Sequence, residues 1–75
     1  MLEKFATWDA VLAHVAAGLP VWYYAPLDYR ATRLGSSEVR VMRGAKIRIR
    51  PPSRDCDPFT ADAGHLDRFR KEGAS

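Results

Sequence analysis

A chain of 75 residues and 8.4 kDa has room for one domain, because at this size only about 60% of the unfolded surface is buried on folding. Its 47% hydrophobic and 28% charged residues are ordinary globular values and argue against general disorder. A single cysteine, Cys56, excludes an internal disulfide scaffold and a thiolate zinc site, and it favours a reducing, cytoplasmic setting.

The first residues, Met1 to Phe5, lack the basic and apolar regions of a secretion signal, so export by that route is not expected. The most apolar stretch, Val11 to Ala25, is interrupted by His14, Gly18 and Pro20 and falls short of a membrane span. Net charge is +3 with a pI near 9.4, but the charge is unevenly spread. Residues 30–54 hold eight cations against Glu38, a net of +7, while the flanking segments 1–29 and 55–75 are each −2. Clustered charge of one sign steers acidic partners toward the middle third.

Thr7 followed by Trp8, Val11, Leu12 and Val15 has the spacing of one helix face and predicts a helix over 8–17. Thr7 is its N-cap, Asp9 complements the dipole, Phe5 covers the start, and Gly18 supplies a left-handed stop before Pro20. Val21-Trp22-Tyr23-Tyr24-Ala25, between two prolines, predicts a strand over 21–25. Its alternation sends Val21 and Tyr23 to one side and Trp22 and Tyr24 to the other. A weaker strand is expected over 28–34, alternating Tyr29, Ala31 and Arg33 with Arg30, Thr32 and Leu34.

Apolar and polar residues alternate on both sides of Gly44, which predicts a hairpin of strands 37–41 and 45–50. A three-residue loop Met42-Arg43-Gly44, with Gly44 left-handed, sets Val41 opposite Ala45 and Val39 opposite Ile47. The outer face then carries Glu38, Arg40, Lys46, Arg48 and Arg50, with Glu38 facing Arg48 and Arg40 facing Lys46. Pro51 to Pro58 read as a loop over 51–58, since a strand cannot run through three prolines. A short turn or 3₁₀ piece is expected near Ala61 to Gly64, capped by Asp62 with His65 hydrogen-bonded inside it. A last strand over 66–70 and a frayed tail over 71–75 complete the chain.

One helix, a strand pair, a tight hairpin, a loop and a turn before Leu66-Asp67-Arg68-Phe69 together resemble an SH3-like small barrel with an added N-terminal helix. The Arg-rich layout and the stretch from Asp57 to Phe69 also look like small uncharacterised proteins of bacterial phages and mobile elements. The resemblance implies an α+β fold, the N-terminal helix packed on a small antiparallel SH3-like β-barrel or curled sheet of four to five strands. It brings no catalytic motif, so no functional residue transfers with it.

Arg40, Lys46, Arg48 and Arg50 project from one side of the hairpin with the spacing of a contact for a phosphate backbone; the competing reading is a solvated face that protects an edge hairpin from aggregation. Trp22 and Tyr24 are the candidates for a partner-binding aromatic surface, against the alternative that the rings are spent in the core. His14 and His65 with Asp55, Asp57, Asp62 and Asp67 do not make a metal set, so no metal and no cofactor are expected. Cys56 with His65 is the only nucleophile and base pair of note, and it lacks an orienting third residue. The glycines are too scattered for a phosphate loop. The expectation is a non-catalytic binding module whose partner is nucleic acid, or alternatively a protein partner met as an adaptor or inhibitor, with a homo-oligomer as a third class and no membrane.

Overall fold

The computed structural model describes residues 1–24, 30–51 and 57–73. Trp8–Ala16 form helix α1, with Thr7 Oγ1 accepting the Ala10 N–H at 3.1 Å as N-cap. At the far end Gly18 adopts φ +79, and the N–H groups of Gly18 and Leu19 donate to the carbonyls of Val15 and His14. That pair of bonds closes the orphan carbonyls of the last turn in a Schellman arrangement. His14 Nε2 donates to the Pro20 carbonyl at 3.1 Å and so ties the helix to the strand that follows.

Seven strands are seen among the described residues: β1 Leu2–Lys4, β2 Val21–Tyr24, β3 Ala31–Leu34, β4 Val39–Met42, β5 Lys46–Ile49, β6 Phe59–Ala61 and β7 Phe69–Glu72. They make two antiparallel sheets, one ordered β1-β7-β2-β3 and one ordered β4-β5-β6. The fold is therefore α+β. No hydrogen-bonded ladder joins the two sheets among the described residues, so the expected single curled sheet or closed barrel of four to five strands is replaced by two separate ladders.

Alternation sorts each strand into an inner and an outer side. Val21, Tyr23 and Phe69 of the first sheet, Val39, Ile47, Ile49 and Ala61 of the second, and Trp8, Val11 and Val15 of α1 all belong to one buried cluster. Phe69 lies at its centre, fully buried, with its ring 5.5 Å from that of Trp8 and 5.1 Å from that of Tyr23. Tyr23 in turn meets Phe59 at 5.3 Å, so four rings link α1, β2, β6 and β7.

The hairpin departs from its expected register. Val39 pairs with Ile49, Arg40 with Arg48, Val41 with Ile47 and Met42 with Lys46, two residues away from the predicted pairing. The loop is Arg43-Gly44-Ala45, and both Gly44 (φ +78) and Ala45 (φ +56) are left-handed. This register opposes four β-branched side chains in two direct pairs, where the predicted one would spend Val41 on Ala45. Its cost is a non-glycine residue in the left-handed region, about 1–2 kcal/mol. A hydrogen bond of 2.6 Å from Trp8 Nε1 to the Ala45 carbonyl holds that residue in place. Because a strand repeats every two residues, the shift keeps the parity of the faces and buries Val39, Ile47 and Ile49 as expected, but Val41 stays 38% exposed and Ala45 moves from strand to loop.

Four other spans differ from expectation. β1 and β6 arise where no strand was expected, the latter between the 51–58 loop and the turn near Ala61: β1 pairs with β7 (Leu2↔Glu72, Glu3↔Lys71, Lys4↔Arg70), and β6 pairs with β5. Leu66 to Arg68, expected as strand, belong to a 3₁₀ helix over Ala63–Arg68, and the last strand begins at Phe69. Lys71 and Glu72, expected to fray, are paired in β7. Ala25, Tyr29, Cys56 and the rest of 25–29, 52–56 and 74–75 lie outside the described residues.

Replacing Ala45 with Gly is expected to stabilise the protein by about 0.5–1 kcal/mol, seen as a higher urea midpoint at unchanged slope. Trp8→Phe is expected to lower the midpoint, by about 1 kcal/mol for the lost indole bond. Phe69→Ala, at about 3–5 kcal/mol, is expected to remove most of the cooperative transition of so small a chain.

Candidate functional site

The hairpin carries the basic surface. Arg40, Lys46, Arg48 and Arg50 are all exposed, on the side of β4 and β5 opposite the buried Val39, Ile47 and Ile49. The register places Arg40 directly across from Arg48, a like-charge pair, in place of the expected Arg40 to Lys46 and Glu38 to Arg48 neighbours. Arg50 lies just past β5, and its N–H donates to the Glu38 carbonyl at 2.7 Å. Arg48 Nη1 approaches Thr60 Oγ1 at 3.4 Å on the neighbouring β6.

Glu38 is the acid nearest these cations in sequence, yet it neutralises none of them within ion-pair distance. Its Oε1 accepts the Gly35 N–H at 3.3 Å, closing the turn from β3 into β4, and its Oε2 is buried without a partner among the described residues. Among the described residues, the one acid–base contact at ion-pair distance is His65 with Asp62. Arg40, Arg48 and Arg50 line a shallow depression of about 520 Å³ together with Ser36, Ser37 and Glu38. The surface is thus concave, hydroxyl-lined and positively charged.

Trp22 and Tyr24 sit on the other sheet. Their partners Val21 and Tyr23 are buried in the core, and burial raises the Tyr23 hydroxyl pKa above its ordinary value, with Arg68 opposing in part. Trp22 and Tyr24 themselves are half-buried on the outer side. The Arg70 guanidinium stands 5.2 Å from the Tyr24 ring centroid and donates to the Phe69 carbonyl at 2.9 Å. The structure therefore does not bring Trp22 and Tyr24 together with Arg40, Lys46, Arg48 and Arg50 in one ladder.

Asp62 and His65 form a capping box on the 3₁₀ helix. Asp62 Oδ1 accepts the Gly64 N–H at 2.9 Å, while His65 Nδ1 lies 3.2 Å from both the Asp62 N–H nitrogen and Oδ1. With Nδ1 bare the ring accepts the Asp62 N–H; with hydrogen on Nδ1 it donates to the carboxylate. His65 is thus engaged with its own cap, and Cys56, its candidate nucleophile, lies outside the described residues. The Gly64 N–H, followed by the His65 hydrogen bond, holds the Asp62 carboxyl below the ordinary 3.8. No group of three His, Cys, Asp or Glu able to hold a metal is found among the described residues. No described helix is long and apolar enough to cross a membrane.

Cations outside the hairpin form a second group that sequence reading did not single out. Lys4, Arg70 and Arg33 come from β1, β7 and β3: Arg33 and Arg70 flank Trp22 through the β2–β3 and β2–β7 pairings, and Lys4 lies one strand further, opposite Arg70. No family model, curated protein or solved structure matches the chain.

The lowered Asp62 pKa stabilises the fold above the ordinary aspartate range, and that contribution is lost as pH falls through the depressed value. Asn at this position keeps an oxygen for the Gly64 N–H but cannot titrate. In Asp62→Asn the fall in urea midpoint below about pH 4 is therefore expected to be shallower than in the parent. Superimposable pH profiles would show that Asp62 has no such part.

Proposed function

We propose that the protein is a non-catalytic binding module for nucleic acid, contacting the phosphate backbone through Arg40, Lys46, Arg48 and Arg50. One observation carries this reading. The fold sets Arg40 directly opposite Arg48, flanks the pair with Lys46 and Arg50, and supplies no acid within ion-pair distance among the described residues. A face needed only for solubility is better served by mixed charge, since opposite signs across a ladder attract and like signs repel. Arg is also the residue whose planar fork matches phosphate oxygens.

At the level of architecture, the 3₁₀ helix leading directly into the last strand supports an SH3-like relationship. A second reading is pairing of β4 edges between copies of the chain. It draws on Val41 and Met42, which stay 38% and 44% exposed on a strand whose one ladder among the described residues is with β5. A light-scattering mass near 8.4 kDa across concentrations would eliminate it.

A mobility-shift titration against duplex and single-stranded DNA at about 50 mM salt is expected to show binding at micromolar protein. Four phosphate contacts imply affinity about a hundredfold weaker at 200 mM salt. Replacing all four basic residues with Gln is expected to abolish salt-dependent duplex binding while leaving the urea midpoint unchanged or higher. Duplex binding that survives the fourfold change would overturn the assignment of the hairpin.

A further inference from the structure

The register of the four-stranded sheet aligns residues that lie far apart in sequence. Lys4 on β1 is opposite Arg70 on β7, Arg70 is opposite Trp22 on β2, and Trp22 is opposite Arg33 on β3. Directly opposed residues project to the same side of a sheet, so these four make one row across its outer face. Three strand spacings give it a length of about 14 Å. The order is cation, cation, indole, cation.

Trp22 differs from the other tryptophan in every physical respect. Trp8 is buried, its indole N–H satisfied by Ala45 and its ring against Phe69. Trp22 is half-buried, and its side chain makes neither a hydrogen bond nor a ring contact among the described residues. A chain with so small a core gains most by burying its largest side chain, and this one leaves it at the surface between Arg70 and Arg33. Lys4 and Arg33 are exposed, and their side chains have no ion-pair or hydrogen-bond partner among the described residues. Next to the row on the same side lies Tyr24, already covered by the Arg70 guanidinium, which adds a second flat, cationic surface. The one acid of β7, Glu72, sits beyond the row, opposite Leu2.

We infer that this face is a stacking platform for single-stranded nucleic acid: Trp22 takes an unpaired base on its ring while Lys4, Arg33 and Arg70 take the flanking phosphates. An aromatic ring set between cations at strand spacing suits a polyanion whose bases are exposed and splayed, and a duplex offers no free base face to the indole. An acidic peptide would satisfy the cations but leave the ring without a stacking partner. The inference stands on different residues from the hairpin reading and does not need it.

The test is a fluorescence-anisotropy titration of the full chain with labelled oligothymidine, a labelled duplex of the same length and labelled polyglutamate. Oligothymidine is expected to bind more tightly than the other two and to quench tryptophan emission. Trp22→Leu is expected to weaken oligothymidine binding by about 5- to 100-fold, to remove the quench, and to leave duplex affinity unchanged. Lys4→Gln with Arg33→Gln, two exposed changes that leave the core intact, is expected to flatten the salt dependence of oligothymidine binding by about 1.4 in log–log slope. Equal losses for duplex and single strand in Trp22→Leu, unaltered binding in both variants, or tighter binding of polyglutamate would overturn the platform. The fourfold hairpin variant separates the two readings. A Trp22-dependent preference for oligothymidine that persists there upholds the platform without the hairpin, and duplex binding with no such preference in the parent does the reverse.

Discussion

The hydrogen bond from Trp8 Nε1 to the Ala45 carbonyl joins the first turn of the helix to the tip of the hairpin, across 37 positions of sequence. It acts on a residue that has little reason to be where it is. Ala45 is left-handed, a conformation that disfavours a residue with a Cβ, and the bond offsets part of that cost. The indole also packs edge-on against Phe69, at 66° and 5.5 Å, so the same side chain fixes the hairpin and the centre of the other sheet. Both outer faces inherit their geometry from this link. Arg40 stands opposite Arg48 only in the pinned register, and Arg70 stands beside Trp22 only because Phe69, one residue earlier, is turned inward.

Much of this was legible in the sequence, and for physical reasons. The helix announces itself through Thr7, its 3.6-residue apolar period and Gly18, all of which act within one or two turns. The buried set Val39, Ile47 and Ile49 is readable because strand parity survives a two-residue error, whereas Val41, expected with them, stays 38% exposed near the hairpin tip. The loop itself is not so robust: Gly44 marks a left-handed position, but nothing local in Ala45 says that it will be left-handed as well. That information lies in Trp8, far away in the chain. Asp62 as cap and His65 as its partner were also readable, since a capping box spans only three residues.

What escaped sequence reading depends on pairing. β1 and β6 are three residues each, too short to show a period, and exist because β7 and β5 offer them a ladder. Leu66 to Arg68 have a strand-like look, yet Asp62 nucleates a 3₁₀ helix that carries through them. The row Lys4, Arg70, Trp22 and Arg33 could not be seen at all, because its members come from four strands whose order in the sheet is not their order in the chain. Trp22 and Tyr24 were visible as an outward pair, but the cations beside them were not.

The two outer faces share one property that bears on why a small protein would keep it. Each sets cations directly across a ladder, Arg40 to Arg48 in one sheet and Lys4 to Arg70 in the other. Opposed like charges lower stability, and a chain of this length has only a few kcal/mol to lose. Water and salt screen the repulsion in part, but a bound polyanion removes it and adds attraction. Binding to the folded state alone then stabilises that state by mass action. On this view the same cationic pairs that weaken the free protein are the source of its affinity, and fold stability and ligand occupancy rise together.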